Sequence, residues 1–132
     1  MRSPTDADLT LPQILRETMA TLIRHESADL TARQFAVFLV CYVEDGPHTV
    51  RGLAERARLS KPAVSRVLDR LGELGLARRV DDPGDRRSML VARTPGGFAF
   101  LRMLRATLEQ AAATVRTGRP GPGGPLIAGN DG

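Results

Sequence analysis

The chain has 132 residues, 42% of them apolar and 26% charged, with one cysteine and a formal net charge of +4. That length suits one domain with its own core. A lone cysteine excludes an intramolecular disulfide and a cysteine-built zinc site. The excess of positive charge is local: from Arg51 to Arg93 eleven basic residues stand against six acidic ones, while the rest of the chain has eight against nine. Such a distribution points to one polyanion-binding surface. The opening MRSPTDADLT lacks the apolar stretch of a secretory signal, and no apolar run reaches the roughly 18 residues of a membrane span. The expectation is a cytoplasmic, nucleoid-associated protein with no membrane partner.

Residues 1–9 read as a loose lead-in. Thr10 with Gln13 predicts a capping box, and Leu9 with Ile14 a hydrophobic staple, opening a first helix. Its apolar stripe is Leu11, Ile14, Leu15, Thr18, Met19, Leu22 and Ile23, fading between His25 and Asp29. Thr31 and Gln34 repeat the capping signature. The sequence that follows, FAVFLVCYV, is apolar on every side, as expected of a central buried helix ended by Gly46 and Pro47. Thr49 can cap a short third helix, VRGLAERA, with Val50, Leu53, Ala54 and Ala57 inward.

A tight turn through Arg58 and Leu59 then leads into SKPAVSRVLDRLGEL, the most informative stretch. Val64, Val67, Leu68, Leu71 and Leu74 share one helical face. Pro62, Ser65, Arg66 and Asp69 point the other way, with Lys61, Ala63 and Arg70 on the flanks. Ser60 is a good N-cap, Pro62 sits in the first turn and Gly75 is the expected C′ residue. Gly72 is a weak helix former whose place suggests close packing. Two short helices joined by a tight turn, the second with a polar outer face, form a helix-turn-helix pattern, with Arg58 near the usual turn glycine.

After Gly75 the period changes. LARRVD and SMLVAR read as two strands around DDPGD, where Pro83 and Gly84 suit the centre of a type II turn. This predicts a two-stranded wing with a basic tip. Thr94 caps a last helix with Pro95 at its first position. Phe98, Leu101, Leu104, Leu108, Ala111, Ala112 and Val115 line one broad side of it, widened by Phe100 and Met103, an excess that suggests a partner subunit. The expected organisation is a lead-in over 1–9, a DNA-binding and dimerisation domain over 10–117, and a flexible Gly/Pro-rich tail over 118–132.

The run GLAERARLSKPAVSRVLDRLGELGLARRVDDPGDRRSMLVARTPGG, with a looser match through LTARQFAVFLV, resembles the MarR family of winged helix-turn-helix transcriptional regulators. The likeness extends from about Leu9 to Val115. It implies a mainly α fold with a small β wing, a homodimer joined through the N- and C-terminal helices, and a recognition helix in each major groove. By the same resemblance Ser60, Lys61, Ala63, Ser65 and Arg66 are recognition-helix contacts, and Asp85 and Arg87 belong to the wing. Family members commonly have a further C-terminal helix, where this chain has its Gly/Pro-rich end.

The residue chemistry agrees. An arginine fork can contact guanine O6 and N7, and a hydroxyl can contact several bases, so Arg66 and Ser65 are candidate base readers. Lys61, Arg70 and Thr49 suit phosphate contacts, and Arg86 with Arg87 would flank the minor groove. Asp69 suits a role of orienting a nearby arginine. Phe35, Phe38, Tyr42 and Phe98 are candidates for a small-molecule effector pocket and equally good core residues. Cys41 suggests either a redox sensor or, from its apolar neighbours, a buried inert thiol. His25 and His48 lie far apart in sequence and form no ligand cluster. No nucleophile-and-base constellation or phosphate loop appears, so neither an enzyme nor a cofactor is expected. The reading is a sequence-specific regulator, expected to act as a repressor, bound as a homodimer to double-stranded pseudo-palindromic DNA and released by a small ligand. Its competitors are a winged-helix protein-interaction module and a ligand-independent DNA-binding subunit.

Overall fold

The computed structural model describes residues 3, 5–25 and 29–118. The elements run α1 (Asp6–Arg24), α2 (Ala32–Val43), β1 (His48–Thr49), α3 (Val50–Ala57), α4 (Lys61–Glu73), β2 (Ala77–Asp81), β3 (Met89–Arg93) and α5 (Pro95–Thr117). They divide into two units, Leu30–Arg102 and a second comprising Met1–Asp29 with Met103–Gly132. The fold class is as expected, mainly helical with a small antiparallel sheet.

In the Leu30–Arg102 unit, Val37 and Phe38 of α2, Leu53 of α3, and Val64, Val67, Leu68 and Leu71 of α4 are buried. Each such side chain contributes about 1.5–3 kcal/mol by leaving water. Phe38 stacks on Tyr42 with ring centroids 4.5 Å apart and meets Phe100 edge-on at 5.2 Å. The Thr31–Gln34 capping box starts α2 as anticipated, with both reciprocal bonds made. The helix is not buried all round, however: Val37, Phe38, Cys41 and Tyr42 are buried, whereas Val43 is exposed.

Thr49 caps α3, its hydroxyl oxygen accepting from Gly52 N at 2.9 Å. Arg58 then takes the left-handed conformation, φ 58° and ψ 44°, which turns the chain into α4. Ser60 caps α4 through Ala63 N at 3.2 Å. At its end Gly75 has φ 72°, Leu76 N donates to Leu71 O and Gly75 N to Gly72 O. This pair of bonds is a Schellman motif, and the positive φ explains the glycine. Gly72 is a different matter. A Cβ there would meet only the Ala77 carbonyl at 3.8 Å, so close packing does not account for it.

The wing is a three-stranded sheet of order β1-β3-β2, one strand more than expected. The addition is short, His48 opposite Val91 and Thr49 opposite Leu90, and two residues carry no alternation to read. β2 and β3 pair antiparallel from Ala77–Arg93 to Asp81–Met89. Between them the tip is not the anticipated type II turn, since Gly84 lacks the positive φ that turn requires. Asp82 Oδ1 instead accepts from Gly84 N at 2.8 Å, and Asp85 N donates to Asp82 O. A second turn follows, with Ser88 N donating to Asp85 O. The aspartate side chains thus compete successfully with the glycine's freedom in shaping the tip.

In the other unit, α1 begins four residues before the predicted Thr10 cap. Thr5 and Asp8 form the capping box instead: Thr5 Oγ1 accepts from Asp8 N, and Asp8 Oδ2 from Thr5 N at 2.9 Å. Thr10 lies inside the helix, its hydroxyl donating to Asp6 O. The bonds from Thr5 hold the Asp8 carboxyl below its ordinary pKa, so the cap's contribution is present above the unfolded value and lost as pH falls through the folded one. Thr18 and Leu22 of α1 are buried, whereas Leu11 is 74%, Leu15 57% and Ile23 77% exposed. On α5 the buried positions are Gly97, Phe100, Leu104, Thr107 and Ala111, with Phe98 and Leu108 exposed. The inward stripe is therefore rotated from the predicted one, because Phe100 is drawn toward Phe35 and Phe38. α5 ends at Thr117, and residues 119–132 of the predicted tail lie outside the described residues.

Candidate nucleic-acid interface

The outer side of α4, the start of α3 and the wing enclose a groove of about 870 Å³ in the Leu30–Arg102 unit. Thr49, Arg51, Lys61, Ser65, Arg79, Asp85 and Arg87 line it, with Asp69 and Ser88. Five of the residues singled out from sequence meet here: Thr49, Lys61, Ser65, Asp85 and Arg87. Ser60, Pro62, Ala63, Arg66, Arg70 and Arg86 are not among its lining. Of these, Ser60, Pro62, Arg66, Arg70 and Arg86 are exposed and Ala63 is half-buried.

Hydrogen bonding sorts the charged groups. The side chains of Arg51, Lys61, Arg66, Arg86 and Arg87 make no ion pair among the described residues, leaving their charge available. Arg70 is held by Glu73, Nη1 to Oε1, at 3.1 Å. Asp85 Oδ1 accepts from Arg87 N at 2.9 Å, so this carboxylate shapes the wing tip that carries Arg87. Asp69 does hold an arginine: it pairs with Arg79 of β2, whose Nη1 also donates to Ser65 O at 3.2 Å. Arg51 and Arg79 were missed in the sequence. Arg51 could have been found as a first-turn cation on α3, but the partner of Asp69 lies across a strand and turn whose register no local pattern reveals.

The remaining candidates have structural settings. Phe35, Phe38 and Phe100 form one aromatic cluster, joined through Tyr42 to the exposed Phe98. Tyr42 is pinned, its hydroxyl donating to Leu76 O at 2.7 Å and accepting from Thr94 N at 2.9 Å. Phe38, Tyr42 and Phe100 are buried, Phe35 is half-buried and Phe98 is exposed. Cys41 is 1% exposed, and burial pushes its thiol pKa up although Arg93 opposes the shift. That setting suits the inert thiol and not a redox sensor. No group of three or more histidine, cysteine, aspartate or glutamate side chains fit to hold a metal occurs among the described residues. Among them no helix is long and apolar enough to cross a membrane.

A capped helix-turn-helix followed by a sheet hairpin with a cationic tip defines a winged helix-turn-helix. Residues 28–88 match the family model described as MarR family. The chain is 36% identical over 78 residues to the transcriptional regulator HosA of Escherichia coli, covering 59% of this chain and 57% of that protein. A probable transcriptional regulator of Pseudomonas aeruginosa has a similar structure, with TM-score 0.58, 27% identity, and 82% and 80% of the two chains covered. The repressor CouR, solved bound to a 23-mer DNA duplex, shares the fold with TM-score 0.65 at 21% identity, over 92% of this chain and 77% of that one. Over residues 28–88 this chain is thus similar to the MarR family. The proteins it resembles are transcriptional regulators, some of them named as of the helix-turn-helix type.

Proposed function

We propose that the protein is a sequence-specific repressor that binds a pseudo-palindromic operator as a homodimer and is released by a small ligand. The carrying observation is the groove in which unpaired Arg51, Lys61 and Arg87 converge from three elements around Ser65. In this reading Ser65 and Arg66 read base edges from α4, with Pro62 and Ala63 offering apolar contact to a thymine methyl. Thr49, Ser60, Lys61, Arg51 and Arg70 set register on phosphates, and Arg86 and Arg87 flank the minor groove on a tip shaped by Asp85. The neighbour CouR, solved on a DNA duplex, supports this use of the fold.

Dimerisation is supported by the exposed Leu11, Leu15 and Ile23 of α1, apolar surface that a monomer would leave in water. For the ligand, the packed aromatic cluster offers less than a recess of about 480 Å³ in the α1-containing unit, lined by Thr21, Arg24 and His25 with Met103, Ala106, Thr107 and Gln110. That volume lies within the range of small-molecule sites. Selection of bound sites from random DNA tests the whole reading. An enriched inverted repeat with half-sites about one helical turn apart is expected. If no sequence is enriched, the chain is instead a protein-interaction module built on the same fold.

A further inference from the structure

We infer that Arg79 is a positioning residue for DNA reading, locking the wing to the outward face of the recognition helix, an inference that rests on the DNA-binding role proposed above. Arg79 stands in the middle of β2, opposite Val91 of β3. Its guanidinium reaches back to α4, where one nitrogen donates to the Ser65 carbonyl at 3.2 Å and the other pairs with Asp69. Ser65 and Asp69 are four residues apart and so lie one turn above the other on the same face. A planar fork holding two points on a helix fixes a direction as well as a distance, which a lysine ammonium cannot do. The bond to Ser65 is made to its backbone, so the Ser65 hydroxyl remains free to meet a base.

The placement has two consequences for the groove. Asp69 would otherwise stand as an unmasked carboxylate in a cleft meant for a polyanion, and Arg79 neutralises it. The second consequence is geometric. Arg87 and Ser65 line the same groove from different elements, and the Arg79 bridge ties α4 to the wing by side-chain bonds, in addition to the α4–β2 turn and the core beneath. Arg79 is about one-third exposed and Asp69 more than half, so water screens the charge of the pair and the bridge acts mainly through its geometry.

The test is a double-mutant cycle on the full-length chain, read as affinity for the selected operator. Arg87→Ala should weaken wild-type binding by roughly tenfold, as loss of one charged groove contact does. In an Arg79→Met background the same Arg87→Ala change should cost less than about twofold, because the wing tip is no longer held at the DNA. Arg66→Ala should cost the same factor in both backgrounds. Hydroxyl-radical protection should disappear at the flanking minor groove in Arg79→Met and persist across the major groove read by α4. The Asp69→Asn, Arg79→Met pair restores charge neutrality and must still lose the flanking protection if position rather than charge matters. Arg79→Lys keeps the charge and should fold wherever Arg79→Met does not; it too should lose the flanking protection. Multiplicative effects of Arg79 and Arg87, or flanking protection retained in all Arg79 variants, would overturn this inference while leaving the DNA role intact. A wild-type chain that binds no DNA sequence would overturn both.

Discussion

Gly97 and Tyr42 decide how three segments of the Leu30–Arg102 unit meet. A Cβ on Gly97 would fall on the Tyr42 hydroxyl and close upon the Leu76 carbonyl, and neither can move, since they are bonded to each other. Gly97→Ala should therefore cost about 2–4 kcal/mol, visible as a lower denaturant midpoint. Full stability in that variant would show that the junction is looser than the geometry states. Arg58 presents the opposite case, a non-glycine residue in the left-handed region with an exposed side chain. Glycine there relieves a backbone cost but brings more entropy to the unfolded chain, so Arg58→Gly should stabilise by about 0.5–1 kcal/mol in denaturant titration. A loss of stability would mean that the Arg58 side chain supports the turn. Cys41 shows how a residue that looked ambiguous in sequence is resolved by its surroundings: its near-complete burial keeps the thiol protonated.

At the scale of elements, α4 is the best specified part of the chain. Its start, its buried face and its Schellman end all follow from residues within it, and Gly72 is the single local inconsistency. Because a Cβ at that exposed position meets ordinary van der Waals space, Gly72→Ala should raise stability by about 0.5–1 kcal/mol without altering DNA affinity. Weaker operator binding by a stabilised Gly72→Ala chain would contradict the assignment of this turn as a spectator. Other elements were legible in proportion to how local their causes are. The caps at Thr31, Thr49, Ser60 and Thr94 act within three residues and could be read directly. The first helix was misplaced because two threonine capping signatures stand close together, and only the one at Thr5 makes its reciprocal bonds. The inward stripe of α5 depended on Phe35 and Phe38, more than sixty residues away, and β1 was too short to show a period.

For the whole molecule, the outward face of α4 and the wing could be placed from sequence, but their convergence could not. Five of the eleven sequence-selected contacts line one groove, and the Arg79 bridge that spans it joins a helix to a strand across ten residues. The proposed dimer belongs to this scale too. Leu11→Glu with Leu15→Glu adds charge to exposed apolar surface, so sedimentation should report a monomer that remains folded by circular dichroism. An unchanged mass would place the subunit contact elsewhere. The claim that most depends on the whole arrangement is that two charged grooves act together on one duplex. It is tested most directly by measuring operator affinity as a function of salt. With four or five phosphates neutralised per subunit, log affinity should fall against log salt with a slope of about −7 to −9. A slope near zero would contradict the account.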